Sequence, residues 1–360
     1  MIGLTLGRYL SWRFLETILT VFVAISGLSF LIDFVEMLRR AGDLPEARAS
    51  FVALMSFLRV PSVSEQILPF AVLFGTMAAF VNLTRKLELI VARASGVSVW
   101  GFLVPPLVIA VGIGVLSVGV YNPLAAAMKQ RADRMEIELF GRRGDDKDAS
   151  LWVRQRSADG KATLRADSMK EGGRALLNVI AFLDDPRGRF VERVEAPSAT
   201  LDGTAWRLDK AVVVRQGEEA EAVGTYYLAT DLTPADVLRS VTAADSVAFW
   251  DLPGFRDRTE GAGLDATPYR LQYQTLLARP VLLAAMVLVA AAFSLRFFRF
   301  GGIGKMTAGG VGAGFVLYVA TKLVANMGGA GLLSAPIAAW SPALVGGLLG
   351  ALALLHQEDG

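Results

Sequence analysis

A stretch at residues 83–96 mixes charged and apolar side chains at short spacing. It is too amphipathic to cross a membrane and too apolar for a free loop. One interpretation is a helix that lies in the membrane interface and is anchored by its basic side chains. The other is a short helix that docks into a groove of a soluble partner, with Glu88 as the exposed charge that meets a basic residue there. The residue pattern leaves both interpretations open.

Lys322 is a charged residue inside an otherwise apolar segment. Gly314, Tyr318 and Lys322 are spaced so that they fall on one face of a helix. The lysine could extend its ammonium group to the membrane surface. Alternatively, it faces a cavity and binds a lipid phosphate, because ionisable residues within membrane segments usually face the interior of the helix bundle.

Arg39 and Arg40 are further candidates for lipid phosphates, because a guanidinium group can bind a phosphate through two parallel hydrogen bonds. Asp33, Glu36 and Arg40 share one helical face, and this spacing predicts pairing between acid and base. Asp33 could neutralise Arg40 within the helix, which would leave only Arg39 free for the lipid.

Other kinds of chemistry have little support in the sequence. There is no cysteine, and His356 is the only histidine, so neither a metal site nor a Ser/His/Asp set is predicted. The string Gly301–Thr307 lacks the upstream glycine of a P-loop and the hydroxyl residue directly after its lysine. We therefore expect neither an enzyme nor a cofactor in this chain.

The elements that would position these residues are membrane helices. Of the 360 residues, 53% are hydrophobic and only 19% are charged, which is more apolar than an average soluble protein. A helix needs about 20 residues to cross the hydrocarbon core. Six such spans are predicted, three on each side of a polar block: Phe14–Leu38, Ser62–Thr84, Trp100–Ala125, Leu276–Phe298, Lys305–Ala325 and Pro336–His356. Two G-x-x-x-G patterns, at Gly310/Gly314 and Gly346/Gly350, permit close helix contact either within the chain or between subunits.

Basic residues in the short loops predict the orientation of the spans. With the N-terminus inside, the basic residues on the inside are Arg8, Arg13, Arg85, Lys86, Arg93, Arg296, Arg299 and Lys305. The first outside loop is an exception, with Arg39, Arg40, Arg48 and Arg59. Both termini are therefore predicted to be cytoplasmic, and the polar block periplasmic.

The polar block, residues 129–268, is predicted to form an all-β domain. Short alternating segments separated by turns rich in Asp, Pro and Gly are typical of a small sandwich or jelly roll. The strand candidates are Leu151–Arg156, Leu176–Leu183, Trp206–Arg215 and Val223–Ala229. The predicted domains are thus residues 1–128 with the helix at 83–96, residues 129–268, and residues 269–360.

Three segments carry a resemblance to a known family. Thr84–Gly96, with the form Thr-Arg-x-x-Glu-Leu-x-x-x-Arg-Ala-Ser-Gly, resembles the loop after the second span in the LptF/LptG (YjgP/YjgQ) permeases. Phe34–Gly42 looks like the end of the first span in G-type members, and Gly314–Tyr318 looks like part of their fifth span. The resemblance covers the whole chain. G-type members would place a basic residue at the position of Asp33.

This resemblance implies an inner-membrane permease subunit of an ATP-driven ABC transporter that extracts lipopolysaccharide and passes it to a periplasmic bridge. The implied partners are an F-type permease paralogue, a cytoplasmic ABC ATPase dimer that holds ATP and Mg²⁺, and single-span and soluble jelly-roll bridge proteins, with no nucleic acid. The candidate coupling residues are Arg85, Glu88, Leu89, Arg93, Ser95 and Gly96. The candidate lipid-binding residues are Arg39, Arg40, Lys322, Asp33 and Tyr318.

Three alternatives stay open at this point. One is the F-type paralogue of the same complex. Another is an ABC subunit that transmits force or handles lipoproteins, which would not need basic residues at a cavity rim. The third is a membrane-embedded enzyme, which would need ionisable groups clustered at one depth, whereas those in this sequence look scattered.

Overall fold

The computed structural model describes residues 4–42, 48–94, 96–140, 151–157, 160–170, 174–185, 189–215, 217–234, 237, 243–261, 265–298 and 303–358. They belong to two compact units. The helical unit falls within Met1–Met135, Asp245–Trp250 and Arg270–Gly360, and the sheet unit falls within Glu136–Ala244 and Asp251–Tyr269.

The helices of the described residues account for most of the chain. In chain order they are α1 (Leu4–Ala41), α2 (Ala49–Arg85), α3 (Glu88–Ala94), α4 (Val99–Leu116), a π-helical turn (Ser117–Tyr121), α5 (Asn122–Phe140), a 3₁₀ turn (Ala244–Ser246), α6 (Leu252–Gly261), α7 (Thr267–Phe298), α8 (Ile303–Gly329) and α9 (Ala335–Glu358). Helical structure continues from α4 through the π turn into α5, so the domain boundary proposed at residue 129 falls inside α5.

Six helical segments within the described ranges are long and apolar enough to cross a membrane. They are Thr5–Ala41, Ala49–Arg85, Val99–Glu136, Thr267–Leu295, Ala308–Gly329 and Ala335–Gln357. Their number and their order around the polar block confirm the prediction. Most run beyond the predicted spans, because backbone hydrogen bonding continues into flanking polar residues that an apolar count leaves out.

Close helix packing in the helical unit depends on small residues. Gly310 and Gly314 of α8 lie directly against Met77 and Leu73 of α2. A Cβ atom at Gly346 of α9 would lie 2.9 Å from a methyl group of Leu317 in α8, and one at Gly350 would lie 3.0 Å from Leu288 in α7. Both G-x-x-x-G patterns therefore serve contacts within the chain.

The sheet unit contains an antiparallel sheet of seven strands. The strands are β1 (Leu151–Ser157), β2 (Gly160–Ala166), β3 (Ser168–Lys170), β4 (Ala175–Asp184), β5 (Phe190–Asp202), β6 (Ala205–Arg215) and β7 (Glu221–Ala229). Their order is β1-β2-β4-β5-β6-β7, and β3 pairs with β4. The inserted all-β domain is thus confirmed, and all four strand candidates are present; β2, β3 and β5 were not predicted.

Described residues of the strands form an apolar core. Trp206 and Leu208 are fully buried while the intervening Arg207 is not, as expected for alternate side chains of a strand. The buried side chain of Gln155 in β1 donates to the carbonyl oxygen of Ala229 at 2.9 Å and accepts from the hydroxyl of Thr230 at 2.6 Å. The first strand therefore meets the end of the last one.

Candidate functional site

The stretch at residues 83–96 forms the end of α2, a sharp turn and α3. Leu87 adopts a φ of 62°, which is uncommon for a residue with a branched side chain. The left-handed backbone of Leu87 changes the direction of the chain between α2, which ends at Arg85, and α3, which begins at Glu88. The short helix predicted here is present, although it is limited to Glu88–Ala94.

The two faces of α3 differ in exposure. Leu89 is only 3% exposed and belongs to an apolar cluster with Leu10 of α1 and Phe80 of α2. Leu87 and Val91 are 58% and 66% exposed. The basic side chains of Arg85 and Lys86, and the backbone of Gly96, are also exposed. Leu89 therefore fixes α3 to the helical unit, and the opposite face is available to a partner.

Among the candidate coupling residues, Glu88 has a hydrogen-bond donor that the sequence did not suggest. The hydroxyl of Tyr9 in α1 donates to its carboxylate oxygens at 3.0 and 3.2 Å. The hydroxyl of Tyr9 brings no cation to Glu88, so this contact does not take the place of a basic residue of a partner. The side chain of Arg93, and all of Ser95, lie outside the described residues.

Lys322 and Tyr318 lie together on α8, as predicted from their spacing. The ammonium group of Lys322 lies 5.7 Å from the centre of the Tyr318 ring and 3.4 Å from Oε1 of Gln66 in α2. The Tyr318 ring lies 5.1 Å from the ring of Phe70. Lys322 remains exposed, so its charge is held in place by a ring and an amide and can still reach a ligand.

Arg39 and Arg40 pair with Glu36 and not with Asp33. Arg39 donates to both carboxylate oxygens of Glu36 at 2.8 and 3.0 Å, and Arg40 donates to one of them at 3.0 Å. Asp33 lies 3.9 Å from Arg59 of α2. The predicted pairing of acid and base on this face is present, but the proposed neutralisation of Arg40 by Asp33 is wrong. The shorter carboxylate of Asp33 is directed across to α2, whereas Glu36 reaches along its own helix.

A buried polar cluster that was not predicted from the sequence joins α2, α7, the π turn and the first residue of α5. Glu65 of α2 and Arg279 of α7 form an ion pair, with side chains only 8% and 11% exposed. Asn122 donates to Glu65 at 2.9 Å, and Arg279 donates to Ser117 at 3.2 Å. The signal available in the sequence was a pair of opposite charges, Glu65 and Arg279, each near the start of a predicted span.

Comparison with known proteins identifies the family. The family model described as "Lipopolysaccharide export system permease LptF/LptG" matches residues 8–356. The chain belongs to the LptF/LptG permease family. Among its relatives are two proteins named lipopolysaccharide export system permease protein LptG. The one from Escherichia coli K12 is 23% identical over 325 residues, covering 88% of this chain and 89% of the relative. The one from Haemophilus influenzae is 24% identical over 349 residues, covering 89% of each.

Membership of the LptF/LptG family places the structural findings in context. The match extends over all six apolar segments and the inserted sheet, so the chain is a multi-pass inner-membrane protein of a lipopolysaccharide export permease family. The G-type name of both relatives confirms the likeness to G-type members.

Proposed function

We propose that this chain is a permease subunit of an ATP-driven ABC transporter that extracts lipopolysaccharide from the inner membrane and passes it to periplasmic bridge proteins. The observation that carries the proposal is the family match over residues 8–356, together with an amphipathic helix, α3, directly after the second apolar segment. Hydrolysis of ATP belongs to a separate cytoplasmic ATPase dimer, which holds the nucleotide and Mg²⁺.

In this proposal α3 is the coupling helix, and both chain termini are cytoplasmic. The coupling role of α3 is supported by the difference between its two faces, one buried and one exposed. Buried Leu89 ties the helix to α1 and α2, and exposed Leu87 and Val91 offer an apolar surface. Around that surface Arg85 and Glu88 supply charges of both signs, and Arg93, Ser95 and Gly96 complete the segment. A partner groove with apolar walls and a basic residue opposite Glu88 fits this chemistry.

Lys322, Arg39 and Arg40 are the proposed contacts for the phosphates of the lipid. Lys322 is favourably placed because the Tyr318 ring and Gln66 orient it without neutralising it. Arg39 and Arg40 share one carboxylate, that of Glu36, so their combined charge with it remains positive. Asp33 acts indirectly, by holding Arg59 of α2 close to this part of α1.

An F-type permease paralogue is the proposed second subunit. Only 6% and 11% of the residues in the most apolar stretches of α1 and α8 are buried within this chain, compared with 61% in the corresponding stretch of α7. Acyl chains and the second subunit would cover these two helices. The sheet domain would lie in the periplasm and accept the extracted lipid before the bridge proteins.

Purification of the intact complex from membranes, followed by mass spectrometry of its proteins and lipids, tests this proposal. We expect an ATPase, a second permease and lipopolysaccharide to co-purify. Glu88→Lys should lose the ATPase and keep the lipid, whereas replacement of Arg39, Arg40 and Lys322 together by glutamine should keep the ATPase and lose the lipid. The assignment of the two sites would be contradicted if each variant lost both the ATPase and the lipid, or if each variant kept both.

A further inference from the structure

The cluster of Glu65, Arg279, Asn122 and Ser117 has no part in the docking and lipid contacts proposed above. Nearly all of it is inaccessible, with Asn122 only 1% exposed. An ion pair buried in this way is weak evidence for a contribution to stability, because apolar residues of similar volume often do as well. Ionisable residues at such positions in membrane proteins usually serve function.

The cluster holds a segment that we call the strap, residues 245–250. The side-chain oxygen of Asn122 accepts the backbone N–H of Phe249 at 2.8 Å. The same amide group of Asn122 donates through its nitrogen to Glu65. Asn122 therefore links the Glu65 side chain to the backbone of Phe249.

Further contacts fasten the strap beside the π turn and α5. The indole N–H of Trp250 donates to the carbonyl oxygen of Gly119 at 3.0 Å, within the π turn, where the wider helical turn disrupts the regular hydrogen-bond pattern. Lys129 pairs with Asp245 at 2.5 Å, and Gln130 donates to the carbonyl oxygen of Ser246 at 2.7 Å. The Phe249 ring stacks on Tyr273 of α7 with centroids 5.3 Å apart.

One continuous helix connects this cluster with the coupling helix. α2 runs from Ala49 to Arg85 and contains Pro69, and Glu65 lies about 30 Å from Arg85 at 1.5 Å of rise per residue. A rigid-body displacement of α2 that starts at Arg85 would reach Glu65. The strap is joined by peptide bonds to Ala244 and Asp251, which belong to the sheet unit.

We propose that Glu65, Arg279 and Asn122 are positioning residues that keep the strap fixed to α2, so that a movement of α2 driven at α3 is passed to the chain entering and leaving the sheet domain. This inference rests on the proposed coupling function. It assigns the route by which work done at the coupling helix arrives at the end of the sheet domain.

The test uses the whole complex in nanodiscs and compares Glu65→Gln with Thr76→Val. Glu65→Gln keeps the size of the side chain and removes its charge. Thr76 is a matched control, because it is also fully buried on α2 and its hydroxyl has no hydrogen-bond partner among the described residues. Asn122→Leu removes the strap contact while leaving both charges in place, and it serves as the second variant if Glu65→Gln does not insert.

Two readings are taken, hydrogen exchange of peptides covering residues 245–250 and lipid release per ATP hydrolysed. We expect Glu65→Gln or Asn122→Leu to speed exchange in the strap and to lower release per ATP on the order of tenfold, within the range by which residues along coupling routes act. ATP hydrolysis and exchange in β6 should stay as in Thr76→Val. Unchanged strap exchange, or a parallel loss of hydrolysis and release, would overturn the inference. A wild-type complex without ATP-dependent release would instead contradict the proposed function.

Discussion

At the scale of single residues, Glu36 limits how strongly Arg39 and Arg40 can bind an anion. Its carboxylate accepts hydrogen bonds from both guanidinium groups, so a lipid phosphate bound at the proposed site would compete with it. We expect Glu36→Gln to increase the lipid retained by the purified protein, by about two- to fivefold because exposed ion pairs are weak. Quantitative mass spectrometry of bound lipid measures this change.

The matched control for Glu36→Gln is Glu16→Gln, which removes an exposed partner of Arg13 on the same helix and should leave lipid binding unchanged. A decrease in bound lipid in Glu36→Gln would show that Glu36 supports the site, and that the two arginines need it for their orientation.

What the sequence could predict at this scale depends on distance along the chain. The arrangement of Tyr318 and Lys322 follows from helical spacing alone. The pair Glu65–Arg279 joins residues 214 positions apart, and the partner of Glu88 is 79 positions away. No local pattern encodes such contacts, because they exist only after the helices have packed.

At the scale of elements, a hydrogen bond from Tyr9 to Glu88 links α3 to α1, in addition to the packing of Leu89. We expect Tyr9→Phe to weaken ATPase association modestly and Glu88→Gln to weaken it strongly. If the Tyr9 hydroxyl acts only by orienting Glu88, adding Tyr9→Phe to Glu88→Gln should have no further effect. Additive losses, measured by titration of the ATPase, would show that Tyr9 acts independently of Glu88.

The close packing of α8 on α2 should be sensitive to the size of the residue at position 314. Gly314→Val should destabilise the helical unit by about 1–3 kcal/mol, the usual cost of overpacking, because the added side chain meets Leu73. Gly312 lies two residues earlier on α8, and a Cβ atom there has no neighbour within 4 Å among the described residues. Thermal unfolding in detergent should therefore show a lower midpoint for Gly314→Val and not for Gly312→Val.

The elements differ in how readable they are from sequence. Six apolar segments stand out because the bilayer demands long uninterrupted runs. β2 contains Gly160 and Lys161, and β5 carries Glu192, Arg193 and Glu195, so neither resembles an apolar run. Among the described residues, each strand places only one large apolar side chain in the buried core, Leu164 in β2 and Val194 in β5. The other buried core residues of these strands are the alanines Ala162, Ala166, Ala196 and Ala199, which a search for large apolar side chains passes over.

At the scale of the whole molecule, the predicted orientation can be tested by labelling single introduced cysteines, because the sequence contains no cysteine of its own. A single cysteine at Leu332, a side chain that is 72% exposed, should react with an impermeant reagent in intact spheroplasts. A cysteine at Ser95 should react only after the membrane is opened. Labelling of position 95 from outside would show that the predicted orientation is wrong and that α3 does not face the cytoplasm.

The proposed function requires that work done at α3 moves lipopolysaccharide out of the membrane. The most direct measurement is ATP-dependent transfer of labelled lipopolysaccharide from proteoliposomes that contain the complete complex to a periplasmic bridge protein. We expect the wild-type complex to transfer lipopolysaccharide only in the presence of ATP. Glu88→Lys should lose this transfer although the subunit remains inserted in the membrane. Transfer by Glu88→Lys at the wild-type rate would contradict the proposed function.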